Sequence, residues 1–137
     1  MLIAVDFDGT IVTHEYPNIG KEVPFAIATL KQLIKDGHRL VLWTNRKGEL
    51  LEEALEWCRK RGVEFYAANK NYPEEDEKTT TEPRKIKVDL FIDDRNVGGL
   101  PDWGIIYELI THRMTLAEYI MNHTGQSVAP KKKHWWF

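Results

Sequence analysis

Three stretches of the chain end apolar runs in residues able to do chemistry. "LIAVDFDGT" carries Asp6 and Asp8 behind four aliphatic positions, and "RLVLWTNR" ends in Thr44, Asn45 and Arg46. "RKIKVDLFIDDR" places Lys85 and Lys87 before an apolar core and Asp93 and Asp94 after it. Side chains alternate along an extended chain, so Asp6 and Asp8 leave it on one side and Phe7 on the other, with Gly9 permitting a tight turn beside them. If the apolar runs are parallel strands, their carboxyl ends share one edge, where open α/β sheets hold their ligands. Carboxylates gathered there repel one another, by roughly 4 kcal/mol for two at 4 Å and an effective dielectric near 20. Oxygen donors without His or Cys suit a hard divalent cation, and Mg²⁺ commonly takes one or two carboxylates with waters and a phosphate oxygen. The chemistry expected is Mg²⁺-assisted handling of a phosphate group.

Such convergence needs elements that alternate. Met1 to Val5 is a short continuous apolar run, as in a parallel strand covered on both faces. From Pro24 the pattern becomes helical, with Ile27, Leu30 and Ile34 on one stripe and Gly37 as a stop. "RLVLWT" reads as the second strand. Gly48 to Arg61 reads as a helix with Leu51, Ala54, Leu55 and Cys58 on one face and Gly62 after its end. "VEFYAA" is expected as a third strand and "VDLFI" as a fourth, separated by a polar loop over 69–85. "GGLPDWG" reads as a turn-rich connection, and "IIYELI" fits either helix or strand. Thr115 and Glu118 have the spacing of a capping box opening a helix to about Asn122. Strands alternating with helices predict an α/β domain with a mainly parallel sheet over residues 1–125, followed by a C-terminal tail over 126–137 ending in "KKKHWWF".

The order DFDGT, strand-terminal Thr, Lys and an acidic pair resembles the haloacid dehalogenase (HAD) superfamily of Mg²⁺-dependent phosphatases, over about residues 2 to 96. "KIKVDLFIDDR" looks especially like its small phosphatases. The resemblance implies a three-layer Rossmann-like fold with a mainly parallel central sheet. It also implies phosphomonoester hydrolysis through an aspartyl phosphate. Asp6 would be the nucleophile, since a carboxylate is ionised at neutral pH. Asp8 would protonate the leaving oxygen and later activate water, and its main-chain carbonyl would touch the metal. The acid role requires surroundings that favour its neutral form for part of the time. Thr44 and the main-chain N–H of Asn45 would bind the phosphoryl group, and Lys85 would neutralise it. Lys87 is the alternative, although the spacing of "KIKVD" resembles the "KPxAD" of some relatives and favours Lys85. Asp6, Asp93 and Asp94 would hold Mg²⁺, one of the last two directly and the other through water.

Neither gap between these motifs has room for a cap domain, so the resemblance is to the capless class, whose open sites accept large substrates or are covered by a second subunit. Residues 11–23 allow only a short flap. On it His14, Glu15 and Tyr16 are either selectors of the leaving group or simply solvated. Arg46 is equally a binder of a second anionic group or a solvent-facing residue. Trp43 and Trp57 read as packing residues, and Cys58 as a packed thiol.

Composition sets the outer bounds. The chain has 137 residues, a net charge of −2 from 19 basic and 21 acidic side chains, and one cysteine. No positive field invites nucleic acid, no apolar run reaches the roughly 18–20 residues of a membrane span, and no disulfide framework can form. The expectation is a cytoplasmic enzyme acting on a small phosphorylated metabolite, of sugar phosphate or nucleotide type. The alternative is a Mg²⁺-binding phospho-acceptor or regulatory module without multiple turnover. Receiver domains share its residue types but place Lys after the phosphorylated Asp, whereas here Lys precedes an acidic pair.

Overall fold

The computed structural model describes residues 1–75 and 87–124. The expectations for Lys85 and for the tail at 126–137 therefore lie outside the described residues. The elements follow in the order β1 (Leu2–Val5), α1 (Ala26–Lys35), β2 (Arg39–Leu42), α2 (Gly48–Lys60), β3 (Ala67–Ala68), β4 (Leu90–Ile92), α3 (Trp103–His112) and α4 (Leu116–His123). The described strands form one four-stranded sheet in the order β3-β2-β1-β4, with every neighbouring pair parallel. The chain is thus an α/β protein, compatible with a Rossmann-like fold.

The apolar runs behave as strands covered on both faces. Ile3, Ala4 and Val5 of β1 are buried in succession, as are Leu40, Val41 and Leu42 of β2. Continuous burial of this kind requires material on each side of the sheet. Helix α1 buries Ala26, Ile27, Thr29, Leu30 and Leu33, and α2 buries Ala54 and Cys58. Leu33 joins the inward stripe of α1, and Ile34 packs half-buried against the same core. Gly37, at φ 98, turns the chain out of that helix while its N–H donates to the Ile34 carbonyl. The left-handed conformation there is one that glycine adopts without steric cost. Cys58 is a packed thiol, pushed up to about 12 by burial.

Two elements depart from their sequence-based expectation. Of "VEFYAA" only Ala67 and Ala68 form a strand, paired to Val41 and Leu42. β3 lies at the edge of the described sheet, and just before it Tyr66 N donates to the Leu40 carbonyl of β2 at 2.7 Å. "IIYELI" belongs to a helix: the Asp102 side chain accepts from Gly104 N at 2.8 Å, a side-chain cap that starts α3. At α4 the Thr115 hydroxyl accepts from Glu118 N at 3.1 Å, in line with the capping-box spacing.

Topology decides where the site falls. The chain runs outward from β1 to β2 to β3 and then returns to pair β4 with the other side of β1. The order therefore reverses between β1 and β4, and crevices at such reversals, beyond the carboxyl ends of the strands, are where open sheets bind ligands. Helix α3 is tied to this edge by Trp103, which is buried and donates its indole N–H to the Thr10 carbonyl at 3.0 Å. Trp103→Phe keeps most of the packing but leaves that buried carbonyl unpaired. It should cost about 1–3 kcal/mol of stability, measured by denaturant unfolding.

Candidate functional site

Asp6 leaves β1 with its N–H donating to the Ile92 carbonyl of β4 at 3.0 Å, so the ladder between the strands carries it alongside Asp93. Asp6, Asp93 and Asp94 each offer one oxygen, all within 4.8 Å of one another. Separate segments thus deliver three half-buried carboxylates to one point. Asp6 is pushed up to about 7, mainly by burial and then by the charge of Asp93, with Asp94 adding to the effect. Burial first, and the neighbouring carboxylates second, disfavour a negative charge on Asp6. The triad can hold a metal ion, and its purely oxygen donor set suits a hard cation.

The turn after Asp6 is built to press against this cluster. Gly9 has φ +86, and a Cβ placed on it would lie 2.4 Å from Asp94 Oδ2, so both the backbone conformation and the available space call for glycine. Thr10 is fully buried. Its hydroxyl lies 3.3 Å from Asp6 Oδ2 and 3.3 Å from Asp94 Oδ1, and it accepts from Asp94 N at 3.1 Å. With one proton to give, the hydroxyl serves one carboxylate at a time. The residues after Thr10 form a short flap, pinned by Thr13 N to the Lys21 carbonyl at 2.8 Å and Val23 N to the Ile11 carbonyl at 2.8 Å.

Asp8 has a different environment. Its side chain is absent from the metal triad and pairs with Arg46, whose Nη2 reaches Oδ1 and whose Nε reaches Oδ2, each at 2.8 Å. Arg46 is fully buried. Neither sequence expectation for it survives. It is not solvent-facing, and its donors are already committed to Asp8 and to main-chain carbonyls, leaving none for a second anionic group. The guanidinium thus grips both oxygens of Asp8.

Thr44 follows β2 at the same edge. Its N–H donates to Asn69 Oδ1 at 2.8 Å, and its hydroxyl oxygen accepts from Arg46 N at 3.1 Å. Among the described residues, Asn45 N–H is the one of these three successive amides without an acceptor, and Asn45 borders the cavity. Such a free amide at a turn suits an anion. Asp6, Asp8, His14, Tyr16, Trp43, Thr44, Asn45, Asp93 and Arg95 surround a cavity of about 430 Å³. Trp43, expected only to pack, therefore borders the site, and His14 does stand beside the acids.

Of the two candidate lysines, Lys87 lies at the far end of the sheet. Its N–H donates to Asn71 Oδ1 at 2.7 Å, and it shares a hollow with Met1, Leu2 and Arg39, at the amino ends of β1 and β2. The carboxylates stand at the carboxyl ends. Sequence reasoning missed three supporting residues. Thr10 was signalled by its place in "DFDGT", whereas Asn69 and Trp103 had no signal beyond being polar or aromatic near a strand or turn.

No protein-family model and no curated protein matches the chain. Among solved structures, a conserved protein coded by a locus from Bacteroides thetaiotaomicron superposes with a TM-score of 0.81 at 66% identity, covering 87% of this chain and 96% of that one. Identity at that level over nearly the whole of the other chain means that the protein belongs to the same family as this conserved Bacteroides thetaiotaomicron protein.

Proposed function

We propose that the protein is a Mg²⁺-dependent phosphomonoesterase of the HAD type, without a cap domain, acting through an aspartyl phosphate on a small phosphorylated metabolite. The observation that carries this reading is the meeting of Asp6, Asp93 and Asp94 at the reversal between β1 and β4, with Asp8 and Thr44 on the same cavity. When bound at the triad, Mg²⁺ would supply positive charge that neutralises the phosphoryl oxygens and keeps Asp6 ionised.

The chain's own residues would divide the work as follows. An Asp6 oxygen forms a bond to phosphorus while the ester P–O bond breaks, and Asp8, having taken the proton of the bound phosphate monoanion, passes it to the departing oxygen. Water then attacks phosphorus in the Asp6 acyl phosphate. Asp8 recovers a proton from that water as the bond between Asp6 and phosphorus breaks, releasing inorganic phosphate. Thr44 Oγ and Asn45 N–H donate to the phosphoryl oxygens throughout. Lys85 completes this set by resemblance alone. The flap is short, and its His14 and Tyr16 line the cavity, which supports an ester of modest size without excluding larger ones.

A panel of sugar phosphates, nucleotides and aryl phosphates assayed with Mg²⁺ and with chelator tests the reading. Wild type should turn over many times with Mg²⁺ and stop with chelator, and Asp6→Asn should lower kcat at least about 10³-fold with the fold intact. Equal rates in Asp6→Asn and wild type, or a phosphoprotein that never turns over, would sink it.

The raised Asp6 also predicts a pH dependence. Folded Asp6 ionises near 7 and unfolded Asp6 near 3.8, so between these values the unfolded chain has lost a proton that the metal-free folded chain still holds. The contribution of Asp6 to stability is therefore present in acid and lost as pH rises to about 7. The melting temperature of metal-free wild type, less that of Asp6→Asn, should fall over this range. Mg²⁺ has to displace the same proton, so its apparent affinity by calorimetry should be about tenfold weaker at pH 6 than at pH 8.

A further inference from the structure

Arg46 is the one fully buried charged side chain among the described residues, and it is absent from the cavity wall. It cannot touch a substrate, yet every donor it has is spent close to one. Nε and Nη2 grip the two oxygens of Asp8, the second Nη2 proton goes to the Asn18 carbonyl at 3.0 Å, and Nη1 serves the Pro17 carbonyl at 3.3 Å and the Leu50 carbonyl at 3.4 Å. Its guanidinium carbon lies 5.2 Å from the Phe7 ring centre and 5.2 Å from that of Tyr16. One cation therefore joins the turn after β1, the flap at 16–18 and the first turn of α2.

An ion pair placed this deep is a poor way to gain stability, because stripping water from both charges offsets most of their attraction. Its effect on orientation is less ambiguous. A two-pronged contact to both oxygens stops the Asp8 carboxylate from turning about its terminal bond, whereas a lysine ammonium would act as a point charge and leave it free. The Asp8 side chain keeps 11% of its surface exposed, and it borders the cavity.

We propose that Arg46 is a positioning residue: it aims the free side of the Asp8 carboxyl at the leaving-group oxygen, and it couples that aim to the seating of the flap through Pro17, Asn18 and Tyr16. This rests on the phosphatase reading, in which Asp8 passes its proton to the departing ester oxygen as the P–O bond breaks. Arg46 itself exchanges no proton and contacts no substrate. Disturbing the flap at Tyr16 removes the outer ring against Arg46, and with it part of the constraint on Asp8.

Leaving-group dependence separates this role from a merely structural one. With Mg²⁺ present, kcat/KM is measured for an alkyl phosphate, whose alkoxide needs a proton to depart, and for 2,4-dinitrophenyl phosphate, whose phenolate does not. Arg46→Gln should lose about 10²-fold or more on the alkyl ester, within the usual range for a general acid, but under about tenfold on the dinitrophenyl ester. Asp8→Asn should split the two esters in the same way, and the double variant should be little worse than either single one, because the residues act as a unit. Should Arg46→Gln not fold by circular dichroism, Arg46→Lys and Tyr16→Ala provide the same comparison, each with a smaller split in the same direction. Equal losses on both esters in the folded variants, or losses that multiply in the double variant, overturn the proposal. A wild type that hydrolyses neither ester would instead overturn the phosphatase reading itself.

Discussion

Three carboxylates share one point at the reversal of the sheet, and the surrounding chain is arranged to hold them there against their own repulsion. The backbone bond from Asp6 N to the Ile92 carbonyl brings two of the segments together. Gly9 lets the turn lie against Asp94, and the Thr10 hydroxyl sits between Asp6 and Asp94. None of these contacts supplies positive charge. They hold an arrangement whose electrostatic cost appears in the upward shift of Asp6, and which a bound cation would relieve.

Asp8 is kept out of this cluster although it lies only two residues from Asp6. Side-chain alternation sends both toward the same edge, but Arg46 draws Asp8 aside and gives it a private counterion. The two acids thereby acquire distinct surroundings, one crowded by other acids and one gripped by a guanidinium.

The site is also tied to the core. Trp103 links α3 to the Thr10 carbonyl, so the helix that packs on the sheet also steadies the turn carrying the acids. On the other side, Asn69 just beyond β3 bonds Thr44 N and reaches the Arg46 carbonyl with its amide at 3.3 Å. The edge that carries the acids is thus braced from both β3 and α3.

Much of the fold was legible in the chain itself, because it depends on local pattern. Continuous apolar runs marked β1, β2 and β4, helical stripes and glycine stops marked α1 and α2, and the Thr115–Glu118 spacing marked α4. The acids at the ends of those runs were legible too, since a parallel sheet leaves strand ends of like direction little choice but to share an edge. What tertiary structure decided were choices between equally good local options. Edge position shortened β3, and the Asp102 cap and inward burial made "IIYELI" helical. The fold placed Lys87 at the opposite end from the acids. It also turned Arg46 inward onto Asp8, a partner 38 residues away. An arginine beside a strand end looks the same in sequence whether it faces solvent, substrate or a buried carboxylate, and only the packing of distant segments tells these apart.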